Sequence, residues 1–349
     1  MFKNVRAYAV NSPNEKLKPF KINRRGVGFD DVLIDILYCG VCHTDIHYIR
    51  NDWKTSNYPL VPGHEIIGKI IQVGKSVKKF KKNDLVGVGV IVDSCQKCLS
   101  CRENLEPYCE KVATFTYNAP DKILGGFTFG GYSKKIVVNQ SFILKIPSNL
   151  DLKATAPLLC AGITTYSPLK KWKASKGERV GIIGLGGLGH MALKFASAMK
   201  TEVFVITGSE KKKEDALRLG ANGVIISKDI DNIKSYKNSF DLLINTIPVP
   251  HNLDNYLELL KRDKTMVIVG AIDSFDKVNI RKLIFGRKSI AGSLIGGISE
   301  TQEMLNFCSE HNIVPEVEII DIKKINVAYE RMLTADVKYR FVIDMKSLI

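Results

Sequence analysis

Three groups of residues in this 349-residue chain have types and spacing that could do chemistry. The first is Cys95-x2-Cys98-x2-Cys101-x7-Cys109. Tetrahedral Zn²⁺ needs four thiolates converging at about 2.3 Å, and four protein ligands leave no open coordination position. Three cysteines two residues apart can wrap one ion in a tight loop, and the fourth can close it. The spacing therefore predicts a structural zinc site, with four unrelated thiols or an iron–sulfur cluster as alternatives. The second group is dispersed. Cys42, His43, Thr44, Asp45 and His47 lie in one short segment, His64-Glu65 follow some 20 residues later, and Cys160 is much further on. Two thiolates and one imidazole would make a three-ligand zinc site with its fourth position open to water or a substrate oxygen. Spacing this wide does not establish such a site by itself. The third group is Gly184-Leu185-Gly186-Gly187-Leu188-Gly189, a GxGxxG loop. It follows the apolar run Arg179–Ile183 and opens a helical pattern. That context predicts a dinucleotide site, with the pyrophosphate at a helix N-terminus.

The elements that must position these groups divide into two styles. The first 150 or so residues read as mostly β, with strand candidates at 32–37, 65–73 and 85–92 and frequent Gly and Pro between them. From about 178 to 295, short apolar strands (179–183, 203–206, 223–226, 242–244, 266–269) alternate with helical patterns. One of these runs over about 212–219 and stops at Gly220. Alternation of this kind implies a parallel, doubly wound sheet. The last 50 residues return to a mixed pattern and end in a strand over 339–344.

The second strand of the alternating region ends Val205-Ile206-Thr207-Gly208-Ser209. An NAD site usually has a carboxylate there for the ribose diol. Hydroxyls and then Lys211-Lys212-Lys213 stand there instead, which suits a 2′-phosphate and predicts NADP(H). Glu210 is the one acid close enough to object.

Composition sets the remaining bounds. Hydrophobic residues are 45% and charged residues 25% of the chain, as in an ordinary globular protein. No apolar run reaches the roughly 20 residues that span a bilayer, and the N-terminal segment lacks the apolar core of a signal peptide. No membrane association and no export are expected. Eight clustered cysteines in a chain without an export signal point to metal ligation in a reducing cytoplasm rather than to disulfides. The net charge of +15 comes mostly from Lys spread along the chain, while Arg, the better reader of bases, is scarce. A nucleic-acid partner is therefore not expected.

Taken in order, these features resemble the zinc-dependent medium-chain alcohol dehydrogenases, in the cinnamyl alcohol dehydrogenase branch with its bacterial broad-range aldehyde reductases. The motifs that carry the resemblance are Gly40-Val41-Cys42-His43-Thr44-Asp45, Gly63-His64-Glu65, the four-cysteine loop, and APLLCAGITTYSP over 156–168. Gly184 to Gly189, Gly292-Ser293-Leu294-Ile295-Gly296-Gly297 and Asp336-Val337-Lys338-Tyr339-Arg340-Phe341 complete them. The resemblance implies an α/β chain with a GroES-like β-rich catalytic domain (1–152 and 297–349) and a doubly wound Rossmann cofactor domain (153–296). It implies two Zn²⁺ per chain, NADP(H), a small aldehyde or alcohol substrate, and a homodimer formed by pairing last strands near Lys288 to Leu294.

Residue by residue, the resemblance makes Cys42, His64 and Cys160 the catalytic zinc ligands, with Glu65 behind the ion and able to become a ligand transiently. Asp45 holds His64. Thr44 bonds the substrate oxygen, and His47 passes the proton onward. Thr164 contacts the nicotinamide, and Thr207, Ser209 and Lys212 hold the 2′-phosphate. His43, the loop residues Gly184, Leu185, Gly186, Gly187, Leu188 and Gly189, and Ser293 and Ile295 complete the cofactor site. Phe115 and Leu294, with Ile295, line the substrate pocket. The plant enzymes carry tryptophan at the position of Phe115, which argues against lignin-type specificity here. A zinc-free quinone or enone reductase of the same superfamily is the alternative activity.

Overall fold

In a computed structural model of the chain, residues 1–272, 274–275 and 277–349 are described. They form two compact units, one of residues 1–160 and 296–349 and the other of residues 161–295. Residues 153–160, assigned above to the cofactor domain, pack in the first unit. There the turns Leu152–Thr155 and Ala156–Leu159 lie on the strands of its main sheet.

The first unit is built on a seven-stranded mixed sheet. Its order is Val317–Asp321, Arg340–Asp344, Asp31–Gly40, Ile66–Val73, Leu85–Val88, Leu144–Lys145, with Lys135–Asn139 also paired to Asp31–Gly40. Only the first pair is parallel. A separate hairpin joins Phe2–Ala9 to Lys18–Arg24. The apolar run 85–92 breaks into Leu85–Val88 and Ile91–Asp93. At the break the Thr116 hydroxyl donates to the Gly89 carbonyl and the Thr116 amide to the Val90 carbonyl.

The register of three neighbouring strands decides where chemistry can occur. Ile343 stands opposite Cys39, and Cys39 opposite Ile66. The ladder continues past the strand ends, with the Gly40 amide bonding the Glu65 carbonyl at 2.9 Å and the Val41 amide the Phe341 carbonyl at 3.0 Å. Three chain segments therefore deliver Arg340, Cys42 and His64-Glu65 to one end of the sheet. The turn into Ile66–Val73 requires Gly63. Its φ is +103°, and a Cβ would sit 2.6 Å from the Tyr132 ring and 2.8 Å from Cys39 Sγ.

The second unit is a six-stranded parallel sheet in the order Gly223–Ile226, Glu202–Thr207, Arg179–Ile183, Phe240–Asn245, Leu260–Ile268, Ser289–Gly292. In chain order this is 3-2-1-4-5-6, the doubly wound dinucleotide topology. Its central strands are continuous apolar runs because both faces are covered. Val180, Ile182 and Ile183, Val203, Val205 and Ile206, and Leu242 to Ile244 are all buried. Phe204, Phe240, Leu257 and Met266 belong to one core cluster beside them. The strand Leu260–Ile268 runs longer than its apolar part and carries Lys261 to Lys264 at its start.

The direction of sheet growth reverses between Arg179–Ile183 and Phe240–Asn245, and the glycine loop leaves the sheet at that point. The following helix, Gly189–Ala198, sits hard against the loop. A Cβ at Gly189 would fall 2.0 Å from the Gly184 carbonyl oxygen, whereas a Cβ at Gly186 meets nothing within 4 Å. The Gly189→Ala variant should lose about 2 kcal/mol of stability, because a backbone oxygen cannot give way as a side chain can. Gly186→Ala should melt at the wild-type temperature. Thermal unfolding of both variants followed by circular dichroism tests this, and equal melting temperatures would contradict the packing described.

Candidate zinc and dinucleotide sites

Cys42 is the N-cap of the helix His43–Arg50, and Asp45 is the third residue of that helix. The Asp45 carboxylate reaches back to accept the Cys42 amide at 3.0 Å. This capping arrangement fixes the cysteine backbone and turns an acid inward. Asp45 is fully buried. It also accepts the Gly63 amide at 3.2 Å, and its Oδ1 lies 3.5 Å from His64 Nδ1. The Asp45 pairing engages Nδ1 of the imidazole. Nε2 is buried with no hydrogen-bond partner.

Around that nitrogen lie Cys42 Sγ, Cys160 Sγ and a Glu65 carboxylate oxygen, with all four donor atoms within 4.8 Å of one another and every residue buried. The two sulfurs are 3.9 Å apart. The thiolate form of Cys42 is favoured by the Cys160 thiol and, against burial, by His64 and Arg340. Glu65 pairs with the buried guanidinium of Arg340 through Oε1, while its Oε2 has no partner. Burial pushes its carboxyl up to about 7 against the pull of Arg340.

Two sulfurs, a bare imidazole nitrogen and an unpartnered carboxylate oxygen, buried together, form a donor set for a cation of intermediate softness. Zn²⁺ fits it, with the Asp45–His64 contact setting the tautomer that presents Nε2.

Thr44 Oγ1 lies 3.5 Å from Cys42 Sγ. His47, one turn along the helix, is half-buried, with Nδ1 held by Asp52 at 2.8 Å and its ring against Trp53. His43, on the same first turn, is exposed. Phe115 is half-buried in the two-residue strand Thr114–Phe115.

The four-cysteine loop converges as its spacing predicts. Cys95 and Cys101 sulfurs are 3.9 Å apart, those of Cys98 and Cys109 are 4.0 Å apart, and all four lie within 4.8 Å. Four thiolates on a tetrahedral ion at 2.3 Å stand about 3.8 Å from one another, so this set is already close to closed. All four cysteines are free. Backbone amides of Lys97 and Cys98 point at Cys95 Sγ and hold its thiol down to about 6. The lobe also reaches another part of the first unit. Glu106, between Cys101 and Cys109, accepts the Ile298 amide at 3.1 Å at the start of the helix Ile298–His311. Gly297, the N-cap, has no room for a Cβ beside the Asn104 carbonyl.

In the second unit, Thr207 ends the strand Glu202–Thr207, and its hydroxyl accepts the Ser209 amide at 3.3 Å. Lys212 is half-buried with Nζ donating to the Leu185 carbonyl at 2.8 Å, so an ammonium stands against the glycine loop. Lys211, Lys213 and Glu210 are exposed. Thr164 is buried in the helix Ala161–Lys171. Ser293 bonds the Ile268 carbonyl through its amide, Leu294 is exposed, and Ile295 is buried with φ +39°.

Several groups at these sites escape a reading by motif. Tyr117 stacks its ring on His64, with centroids 5.7 Å apart. Arg340 stands in a quoted motif without a role. Asp52 is the anion on His47, and Tyr132 donates to Asp45 at 3.1 Å. None has a spacing signature, because each reaches its partner through the fold.

Comparison with known proteins agrees with this geometry. Residues 28–148 match the family model described as alcohol dehydrogenase GroES-like domain, and residues 187–310 match that described as zinc-binding dehydrogenase. The chain is 52% identical to aldehyde reductase YahK of Escherichia coli strain K12, covering 99% of each chain. It is 50% identical to NADP-dependent alcohol dehydrogenase C of Mycobacterium bovis, again over 99% of each. Among solved structures, it superposes on the cinnamyl alcohol dehydrogenase SbCAD4 of Sorghum bicolor with a TM-score of 0.96 at 41% identity, covering 98% of each chain. It superposes on the CAD of Helicobacter pylori, complexed with NADP(H), with a TM-score of 0.92 at 45% identity over 99% of each. With two thiol-rich donor sets on a GroES-like unit and a doubly wound cofactor unit, the chain belongs to the zinc-dependent medium-chain dehydrogenase/reductase family, in its cinnamyl alcohol dehydrogenase branch.

Proposed function

We propose that this protein is a zinc-dependent, NADP(H)-linked alcohol dehydrogenase and aldehyde reductase that interconverts primary alcohols and aldehydes by hydride transfer. The observation that carries the reading is the convergence of Cys42 Sγ, His64 Nε2 and Cys160 Sγ, three donors from distant parts of the chain. A three-donor set of two thiolates and an imidazole leaves a fourth position for a substrate oxygen. When bound, the zinc polarises a carbonyl oxygen as a Lewis acid and the reduced nicotinamide supplies the hydride.

The chain's own residues do the rest. Asp45 fixes the His64 tautomer, and Glu65, held by Arg340 through one oxygen, keeps the other turned toward the donor set. Thr44 holds a proton at Oγ1 beside the ligand sulfur and gives it to the alkoxide oxygen as the alcohol forms. His47, oriented through Nδ1 by Asp52, is the next proton carrier. In the cofactor unit, the glycine loop and its helix receive the pyrophosphate, with Thr164 on the nicotinamide side. Thr207, Ser209 and Lys212 receive the 2′-phosphate, and Ser293 and Ile295 complete this unit's share of the site. Phe115, in the first unit, faces the substrate.

NADP(H) is supported by the lack of an acid at the strand end, since Glu210 is exposed and Lys212 is tied to the loop. It accords with the NADP-dependent and NADP(H)-bound relatives. A homodimer is supported by the edge strand Ser289–Gly292, which among the described residues pairs on one side only, and by the exposed Ile284 and Phe285 of the neighbouring helix Ile280–Gly286. Among the described residues no helix is long and apolar enough to cross a membrane. The eight free cysteines support a reducing compartment, the cytoplasm.

Two experiments test this reading. Wild-type protein should hold two zinc ions per chain and Cys42→Ser one, with turnover of an aldehyde and NADPH abolished while the Cys95 lobe keeps its metal. One zinc in the wild type, or full turnover in the variant, would favour the zinc-free reductase chemistry. Replacing Lys212 by Ala should lower kcat/KM for NADPH roughly 10- to 100-fold, the worth of one charge-assisted hydrogen bond, and leave that for NADH nearly unchanged. Equal losses with both cofactors would remove Lys212 from the 2′-phosphate site.

A further inference from the structure

Beyond Cys42, His64 and the Gly63 amide, the Asp45 carboxylate has a phenolic partner. Its Oδ2 accepts the Tyr132 hydroxyl at 3.1 Å, and Tyr132 in turn lies 3.3 Å from the hydroxyl of Tyr329 on the helix Ile325–Leu333. Asp45 and Tyr132 are fully buried and Tyr329 is 8% exposed. Proton counting gives the chain a direction. An ionised carboxylate only accepts, so the single phenolic proton of Tyr132 points at Asp45. Its lone pair is then left to accept from Tyr329. Burial, and then the charge on Asp45, keep both phenols protonated.

The His64 contact it supports is long, at 3.5 Å, so small rotations of the carboxylate decide whether Nδ1 is held. Gly63 makes room for the Tyr132 ring and also supplies a main-chain donor to Asp45.

We propose that Tyr132 is a positioning residue for the catalytic metal. Its hydroxyl locks the Asp45 carboxylate so that His64 keeps Nδ1 engaged and presents Nε2 to the ion, and Tyr329 locks Tyr132 from the C-terminal helix. The proposal rests on the reading of Cys42, His64 and Cys160 as metal ligands. Partners of this kind around a ligating imidazole commonly change metal affinity by roughly 10- to 100-fold when removed.

The test uses the purified holoenzyme with both zinc ions. Zinc release into excess chelator is followed with a metal-sensitive dye for wild type, Tyr132→Phe, Tyr329→Phe, Asp45→Asn and the Asp45→Asn/Tyr132→Phe double variant. The d–d absorption of Co²⁺ exchanged into the catalytic site is recorded for each. Tyr132→Phe should release one of its two zinc ions roughly tenfold faster. The second ion should leave at the wild-type rate, the melting temperature should stay close to wild type, and the Co²⁺ bands should shift. Tyr329→Phe should change release in the same direction by a smaller factor. In the Asp45→Asn background, loss of the Tyr132 hydroxyl should add nothing.

Unchanged release and Co²⁺ bands in Tyr132→Phe would overturn the proposal. So would a full, independent effect in the double variant, or faster loss of both ions with a lower melting temperature and unshifted bands. Wild-type protein holding a single zinc that survives Cys42→Ser would instead sink the metal reading, and the proposal with it.

Discussion

The gathering of buried acidic groups around one imidazole is the constraint around which the first unit is organised. Two thiols and two carboxyl groups converge within a few ångströms of His64, and Arg340 is the guanidinium that meets them. Removing such groups from water costs several kcal/mol per ion unless partners make it up. The sheet register brings Arg340 to the same strand ends as Cys42 and Glu65, and the helix cap turns Asp45 inward behind the imidazole. A divalent ion completes this balance, and the same ion is what the proposed chemistry needs. Stability and activity thus draw on one arrangement.

The cofactor unit was the more legible half of the sequence. Its central strands are apolar on both faces, so they read as uninterrupted runs. The GxGxxG loop is a local motif whose meaning depends only on the strand before it and the helix after it. The close approach of Gly189 to the Gly184 carbonyl explains why a side chain is missing there. The four-cysteine lobe was legible for the same reason, since all its donors lie within 15 residues and need only a tight loop to meet. At 85–92 apolarity alone extended a strand through a break that Thr116 makes with its hydroxyl and amide.

The proposed catalytic constellation was legible only through family resemblance. Cys42 and Cys160 are 118 residues apart in sequence, and no local rule brings them to 3.9 Å. The supporting groups were less visible still. Tyr132, Tyr329, Tyr117 and Arg340 act through pairings that exist only once the mixed sheet has formed, and a lone tyrosine or arginine carries no periodicity to betray it. Asp52 is five residues from His47 but lies beyond the helix end, where the chain turns back.

The lobe that gathers Cys95, Cys98, Cys101 and Cys109 has a reach beyond its own thiols. Through the Glu106 carboxylate and the tight passage of Gly297 under Asn104, it anchors the first turn of a 14-residue helix whose sequence lies 192 residues downstream. That turn begins where the chain has just returned to the first unit. Oxidation or demetallation of these four sulfurs therefore bears mechanically on the start of that helix, at a place in the sequence where no cysteine of the lobe is present.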